Sequence, residues 1–459
     1  MTLPEDYKNR MKAVLADGYD DYISCLNAPY VRSLRLSPRR VQSSDMERMS
    51  RIATCCNSPE PVSYCPGAYY YDSDLPGKLP LHEAGAYYIQ EASAMLPVTM
   101  LDVDESGMKV LDLCAAPGGK STQIADLMNG HGLLVSNEII SSRAAILSEN
   151  VERMGVVNAL VTSVDPNVLA DRFPYYFDRI LVDAPCSGEG MFRKHPEAAG
   201  QWSVENVKMC ADRQDMILDC AAVMLAPGGR IVYSTCTFSP EEDEGSLERF
   251  IARHPEFEAV EGPDHIYPHL HRGEGHFAVA LARRTESAIR PAGSDEIPES
   301  RSARAKKAVL DHVEDALLSD FLEGAYRDVS PVRTLIENNK DRLLKFGDGL
   351  YLAPEYMPPI KGLIVKRAGL RIGTFMKNRF TPDHALSHAS SPEDVRFFVD
   401  YAHDSSEIGS YLSGMTIPCD PALKGWCLVC CEGIAAGWGK AAGGTIKNHY
   451  PKGLRKAFA

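Results

Sequence analysis

No apolar run in this chain reaches the length needed to span a bilayer, and the N-terminus, Met1 to Arg10, is polar and carries no leader pattern. Both absences argue against a membrane or secreted protein. Without a leader, the 13 cysteines point to a reducing compartment, where thiols serve packing, metal binding or catalysis rather than cross-links. The expected location is the cytoplasm. Two phosphate-binding signatures are missing as well. The run Gly119-Lys120-Ser121 would close a Walker loop only if glycine stood at 114, where this chain has Cys114. No G-x-G-x-x-G follows any strand-like run, which removes the dinucleotide fingerprint. We find no internal repeat.

What is present describes an ordinary globular chain of 459 residues, 44% apolar and 24% charged, long enough for about two to four domains. The net charge of −13 offers no general attraction for nucleic acid, but it hides local bias. Lys361, Lys366, Arg367, Arg371, Lys377 and Arg379 form a stretch without an acid. Lys424, Lys440, Lys447, Lys452, Arg455 and Lys456 follow with Glu432 as their only acidic neighbour. Local clusters attract phosphates, although two merely solvated faces would have the same composition.

The chain divides by pattern. Residues 1–80 read as a small N-terminal module, and Ala84 to Leu101 reads as a helix leading into the next unit. Across 81–285, strand-like runs (MKVLDLCAA, GLLVSNEI, ALVTSV, FDRILVDAP, GGRIVYSTC) alternate with helical stretches such as SRAAILSENVERMG and Val204 to Met224. This alternation predicts a parallel α/β sheet covered on both faces. The late run GEGHFAVALAR suits an antiparallel edge strand. Polar residues 286–307 read as a linker. Residues 308–380 then form a first C-terminal module, beginning with helices and continuing with the strand-like YLAP and GLIVKRAGLRIG. Residues 381–459 end in short strands joined by glycine turns.

The string LDLCAAPGGKSTQIADL places strand, small-residue turn and helix in succession. The small residues Cys114, Ala115, Ala116 and Pro117, with Gly118, Gly119 and Lys120, suit close approach of a ligand, and the helix start suits an anion smaller than pyrophosphate, such as a carboxylate. Glu138 ends the second strand, about twenty residues past Gly118, where an acid can accept hydrogen bonds from ribose hydroxyls. Asp165 follows the third strand, where it can meet an adenine amino group or merely cap a turn. Asp183 ends the fourth. A nucleoside joined to methionine is S-adenosylmethionine.

Cys186 (DAPCSGEGMF) and Cys236 (YSTCTFSPEEDE) follow the fourth and fifth strands in polar surroundings, unlike the usual buried cysteine. Carbon 5 of cytosine is a weak nucleophile until a thiolate adds to carbon 6 and turns the ring into an enamine. A base must afterwards remove the carbon-5 proton.

The strings CAAPGGK, DAPCSGEGMF and YSTCTFSPEEDE resemble those of the NOP2/Sun-type RNA cytosine-5 methyltransferases, and the tail GWCLVCCEGIAAGWGKAAGGTIKNHYPKGLR resembles the bacterial RsmF type, which acts on small-subunit ribosomal RNA. The resemblance implies a Rossmann-like methyltransferase core with an N-terminal α/β module and C-terminal PUA-like RNA-binding modules. It implies S-adenosylmethionine held by Cys114 to Lys120, Glu138, Asp165 and Asp183. Cys236 becomes the nucleophile, Cys186 assists release or removal of the carbon-5 proton, Asp183 meets the cytosine edge, and Lys194 is a further contact to base or phosphate. The DNA enzymes reverse the two cysteines, which is the alternative assignment. A catalytically idle RNA-binding or assembly factor is a second. The expected partner is RNA, and the expected state is a monomer.

Other clusters carry less. His265, His269, His271, Glu274 and His276 resemble metal ligands, but no cysteine pair stands nearby. Cys427, Cys430 and Cys431 suit strand packing better than half a zinc knuckle, and Cys55, Cys56 and Cys65 suggest no more. No metal is expected. Trp426, Trp438, His449 and Tyr450 interleave with basic residues, a pattern that suits stacking on RNA bases.

Overall fold

The computed structural model describes residues 2–41, 52, 56, 59–74, 76–284, 306–307 and 310–457. The linker reading at 286–307 lies outside them except for Lys306–Lys307, and Cys55 lies outside as well. The alternating segment forms Lys109–Asp112 (β1), Leu133–Asn137 (β2), Ala159–Thr162 (β3), Phe177–Asp183 (β4), Leu225–Thr235 (β5), Phe257–Ile266 (β6) and His276–Arg283 (β7). Strands β1 to β5 are mutually parallel. Between them run Gly119–Met128 (α1), Ser141–Arg153 (α2), Pro166–Arg172 (α3) and Val204–Met224 (α4), with Glu244–Arg253 (α5) after β5. Every residue of β2 and β3 is buried, as a strand covered on both faces requires. The fold is α/β with a Rossmann-like core.

The spatial order is β6-β7-β5-β4-β1-β2-β3-β8, where β8 is Val365–Ala368. Strand order reverses between β1 and β4, so the carboxyl ends of those strands open the crevice that α/β sheets use for ligands. Two expectations change here. The run at 276–283 is antiparallel but interior, because its side chains are almost all buried and need neighbours on both sides. The edge is β6, whose exposed Glu258, Glu261, Pro263 and Asp264, with two register shifts, blunt it against further pairing. At the opposite edge, β8 comes from beyond the linker and pairs antiparallel with β3.

Residues 84–101 do not make one helix. They form the end of a short helix at Pro80–Glu83, a strand at Tyr87–Ile89 and a short helix at Leu96–Thr99. Gly85 takes a φ of +73° and lies against the carbonyl of Arg153, while the β-prone Tyr87 and Tyr88 pair with Ser33–Leu36. Tertiary pairing overrides the local helical pattern.

The N-terminal residues serve two places. Tyr7, Met11 and Tyr22 share a buried cluster with Phe192, Trp202 and Phe238, beneath the loops after β4 and β5. Leu34, Leu36 and Leu81 share another with Ile408, Tyr411, Cys427 and Ile446 near the C-terminus. The tail strands Gly425–Cys431, Ile434–Ala442 and Thr445–Asn448 form an antiparallel meander, with turns at Gly433 and at Gly443-Gly444. Among the described residues no helix is long and apolar enough to cross a membrane.

Candidate active site

The turn after β1 is fixed by its neighbours. Ala115 N–H donates to the Asn137 carbonyl at 2.8 Å. The carbonyls of Ala116 and Pro117 accept from Arg143 and Asn150 on α2 at 3.0 and 2.9 Å. The glycines make room for protein rather than for a ligand. A Cβ at Gly118 (φ +115°) would press Leu147 of α2, and one at Gly119 would press Tyr88 and Gln90. The turn is thus clamped between α2 and the N-terminal module before any ligand arrives. Burial pushes the Cys114 thiol far up, so it stays neutral there.

Carboxylates stand at the strand tips. Asp112 is fully buried. Its Oδ2 accepts from Ser121 at 2.6 Å, its Oδ1 has no partner among the described residues, and burial pushes its carboxyl up to about 7. Asp183 Oδ2 accepts from the Lys120 ammonium at 2.8 Å, and Oδ1 accepts from Ser234 at 2.9 Å with His276 Nε2 3.5 Å away. Burial alone would raise the Asp183 carboxyl, but the charge of Lys120 and the nearby His276 outweigh it and hold the group well below the ordinary range. Asp183 is therefore the ionised acid and Asp112 the one nearest to carrying a proton.

Glu138 is buried; its Oε1 accepts the Ile140 amide at 2.9 Å, and its Oε2 lies 3.2 Å from Arg143. Asp165 is exposed and caps α3 through Asn167, so the plain capping role is the one its contacts express. This donor set suits a nucleoside carrying an amino acid. Acceptors at the tips of β1, β2 and β4 match hydroxyl and ammonium donors, and the orphan Asp112 Oδ1 is an acceptor that protein leaves unused.

The loops after β4 and β5 bring Cys186 and Cys236 together, with their sulfurs 3.3 Å apart and both residues partly exposed. The hydrogen bond to Cys236, followed by burial, pushes the Cys186 thiol well up. Four further contacts join the loops. Ser187 Oγ lies 2.8 Å from Thr237 Oγ1, and Gly190 N–H donates to the Cys236 carbonyl at 2.9 Å. Ser187 N–H donates to Glu242, and Phe238 N–H donates to Glu189. Sequence reasoning missed Glu189 and Glu242. Glutamate inside an otherwise neutral turn was the available signal.

The remaining candidates separate. Lys194 is exposed and makes no ion pair among the described residues, whereas its neighbour Arg193 is locked onto Glu274. The histidine cluster disperses, with His265 on Glu244 at 2.7 Å and His276 beside Asp183. Asp243, Glu244 and His265 bring three potential ligand atoms within 4.8 Å of one another, but His265 already engages Glu244. Cys427, Cys430 and Cys431 are buried in the tail, and Cys56 and Cys65 are buried in the N-terminal part.

The aromatic reading of the tail needs correction. Trp438 and Tyr450 are 2% exposed and belong to the core, because a small sheet has few other large side chains to fill it. Trp426 is partly buried and remains at the rim, with the Lys440 ammonium 5.6 Å from its ring centroid and His449 at 4.7 Å between centroids. Burial, then the charges of Lys447, Lys440 and Arg379, push the His449 imidazole down, so basic residues of two separate sheets meet here.

Comparison with known proteins fits this geometry. A family model described as 16S rRNA methyltransferase RsmB/F matches residues 98–282. Models described as the RsmF N-terminal domain, first C-terminal domain and PUA domain match 3–92, 330–389 and 398–456. Ribosomal RNA small subunit methyltransferase F of Vibrio vulnificus (strain YJ016) is 32% identical over 477 residues, covering 98% of this chain and 97% of that protein. The protein of the same name from Cronobacter sakazakii (strain ATCC BAA-894) is 37% identical over 309 residues, 62% of this chain and 64% of that one. The structure of NSun6 from Pyrococcus horikoshii with SFG shares the fold, with a TM-score of 0.54 at 20% identity over 61% of this chain and 98% of that one. The chain therefore belongs to the RsmF family of ribosomal RNA small-subunit methyltransferases, enzymes with S-adenosylmethionine as cofactor.

Proposed function

We propose that this chain methylates carbon 5 of a cytosine in small-subunit ribosomal RNA through a covalent bond between Cys236 and carbon 6. The observation that carries the reading is the pair of sulfurs 3.3 Å apart at the tips of adjacent parallel strands, beside an ionised Asp183. The target base leaves its stack to reach this point. The Asp183 carboxylate accepts a hydrogen bond from the cytosine amino edge. Cys236 adds to carbon 6, and carbon 5 gains the electron density to take a methyl group. S-adenosylmethionine, when bound, supplies that methyl as an electrophile; Asp112, Glu138, Asp165, Asp183 and the turn from Cys114 to Lys120 would hold it. The carbon-5 proton then leaves, and Cys236 departs. Cys186, with its thiol held protonated, hydrogen-bonds the Cys236 sulfur while that sulfur carries charge and so assists both attack and release. This division favours Cys236 over Cys186 as nucleophile.

RNA specificity lies outside the core, where Arg379, Lys440, Lys447 and the rim of Trp426 suit phosphates and an unstacked base. The name shared by the relatives points to small-subunit ribosomal RNA as the substrate, and the enzyme acts as a monomer in this reading, which light scattering tests. Methyl transfer from tritiated cofactor, followed by bisulfite mapping, tests the whole. Cys236→Ala removes the protected cytosine. Activity retained in that variant but lost in Cys186→Ala would transfer the nucleophile to Cys186. No label in any RNA would leave the idle binding factor.

A further inference from the structure

The two cysteine loops exchange carboxylates. Glu189, on the Cys186 loop, reaches across so that its Oε2 accepts the backbone N–H of Phe238 at 3.1 Å, two residues past Cys236. Its Oε1 accepts the indole N–H of Trp202 at 2.8 Å. Glu242, on the Cys236 loop, reaches the other way, and its Oε2 accepts the backbone N–H of Ser187, next to Cys186, at 2.9 Å. The same Oε2 accepts from Gln214 of α4 at 2.9 Å, and Gln214 also donates to the Pro185 carbonyl at 3.1 Å. Glu242 Oε1 is buried without a hydrogen-bond partner. Neither carboxylate forms an ion pair among the described residues, and Glu189 is completely buried. Two buried carboxylates near one site are costly unless their hydrogen bonds do something that neutral side chains would not.

We propose that Glu189 and Glu242 are positioning residues that lock the two loops in reciprocal register and thereby set the spacing of the Cys186 and Cys236 sulfurs. A backbone amide is the natural handle for this purpose, because it moves with the thiol-bearing chain and cannot rotate away. The proposal rests on the covalent reading of the cysteine pair, but its geometry can be measured separately.

The two glutamates differ in a way that stereochemistry makes testable. Glu189 presents each oxygen to a donor. A glutamine at that position has only one acceptor, so its amide nitrogen must face either Trp202 or Phe238, donor against donor. Glu242 uses a single oxygen. A glutamine there keeps that oxygen for Ser187 and Gln214 and turns its nitrogen toward the side where Oε1 has no partner. Glu189→Gln should therefore loosen the loops, and Glu242→Gln should not. Trp202→Phe removes one of the two donors that face Glu189, so it should rescue Glu189→Gln in the double variant.

Two readouts apply to the full-length enzyme. The first is methyl transfer, resolved into kcat and KM. We expect Glu189→Gln and Glu242→Ala to lower kcat by about 10- to 100-fold with KM for the cofactor unchanged, as misplacement of a reacting group by about an ångström does. Glu242→Gln should stay within about 3-fold of wild type, and Trp202→Phe with Glu189→Gln should recover at least about 5-fold over Glu189→Gln alone. The second needs no methylation. Diamide, a two-electron oxidant that takes up both thiol hydrogens as it joins the sulfurs, should cross-link Cys186 to Cys236 at least about 5-fold more slowly in Glu189→Gln than in wild type or Glu242→Gln. A rate unchanged in Glu189→Gln, or one that falls equally in Glu242→Gln, overturns the proposal. So does failure of the Trp202→Phe rescue. Should wild type transfer no methyl group while the cross-linking pattern holds, the proposed reaction fails and the bracing stands. If Glu189→Gln melts early, the contrast between Glu242→Gln and Glu242→Ala decides.

Discussion

The loops after β4 and β5 and the strands of the C-terminal tail contain the same residue types and use them in opposite ways. Cys186 and Cys236 are partly exposed at a crevice and touch each other, whereas Cys427, Cys430 and Cys431 are buried. Trp202 donates its indole N–H to a loop carboxylate, whereas the Nε1 of Trp438 is buried with no hydrogen-bond partner among the described residues. The difference follows from what surrounds each. A large parallel sheet already has a core on each face, so the loops at its carboxyl edge are free to carry polar and reactive groups. A small five-stranded sheet must build its interior from whatever large side chains it has, and its cysteines and tryptophans serve as filling.

The sharpest way to break this comparison is to change one cysteine from each region. Cys236→Ser should lower methyl transfer by at least about 1,000-fold with no change in melting temperature. Cys430→Ser should leave specific activity intact while destabilising the fold, since it places a hydroxyl in an apolar site. Equal effects in both assays would erase the distinction. Next comes Trp438→Ala, expected to cost about 3–5 kcal/mol in denaturant unfolding, as loss of a buried aromatic does. Trp426→Ala should cost less stability and instead weaken RNA binding.

A smaller effect is expected from acid. Burial pushes His384 down to about 4, and its neighbour His388, 3.0 Å away, is lowered too. With the folded value below the ordinary value of about 6.5, the neutral form is the native one. The contribution of His384 is therefore complete above that value and is lost as pH falls toward 4. Unfolding free energy should drop by about 2–3 kcal/mol across that window, and His384→Gln should flatten the dependence. The smallest effect belongs to the tail's charges. Lys440→Ala and Lys447→Ala should each weaken RNA binding by a few-fold, reduce the slope of log affinity against log salt by about 1, and leave stability unchanged.

Legibility in the sequence followed the same division. The cofactor turn and both cysteines could be located because a strand, a turn and a helix in succession must place their junction at one edge of a parallel sheet. The tail aromatics were misjudged because alternation of basic and aromatic residues marks a nucleic-acid face and a small core equally well. In a two-residue period, only the register decides which side chains point inward. The Ala84 to Leu101 helix was lost for a related reason: Tyr87 and Tyr88 found a strand partner about fifty residues upstream. Asp165 shows a milder form of the problem, since an acid after a strand can bind a ligand or cap the next helix, and here it caps α3.

The sequence by itself determined the class of fold, the edge of the sheet where chemistry gathers, and the identity of the two thiols, because these depend on local order along the chain. Only the tertiary structure decided that Lys120 and Asp183 form a charged pair, that Glu189 and Glu242 cross between loops, and that Val365–Ala368 closes the core sheet from beyond the linker. Those contacts join residues about fifty to two hundred positions apart. No local pattern encodes such distances, because the free energy that selects them comes from burying surfaces that meet only once the chain has folded.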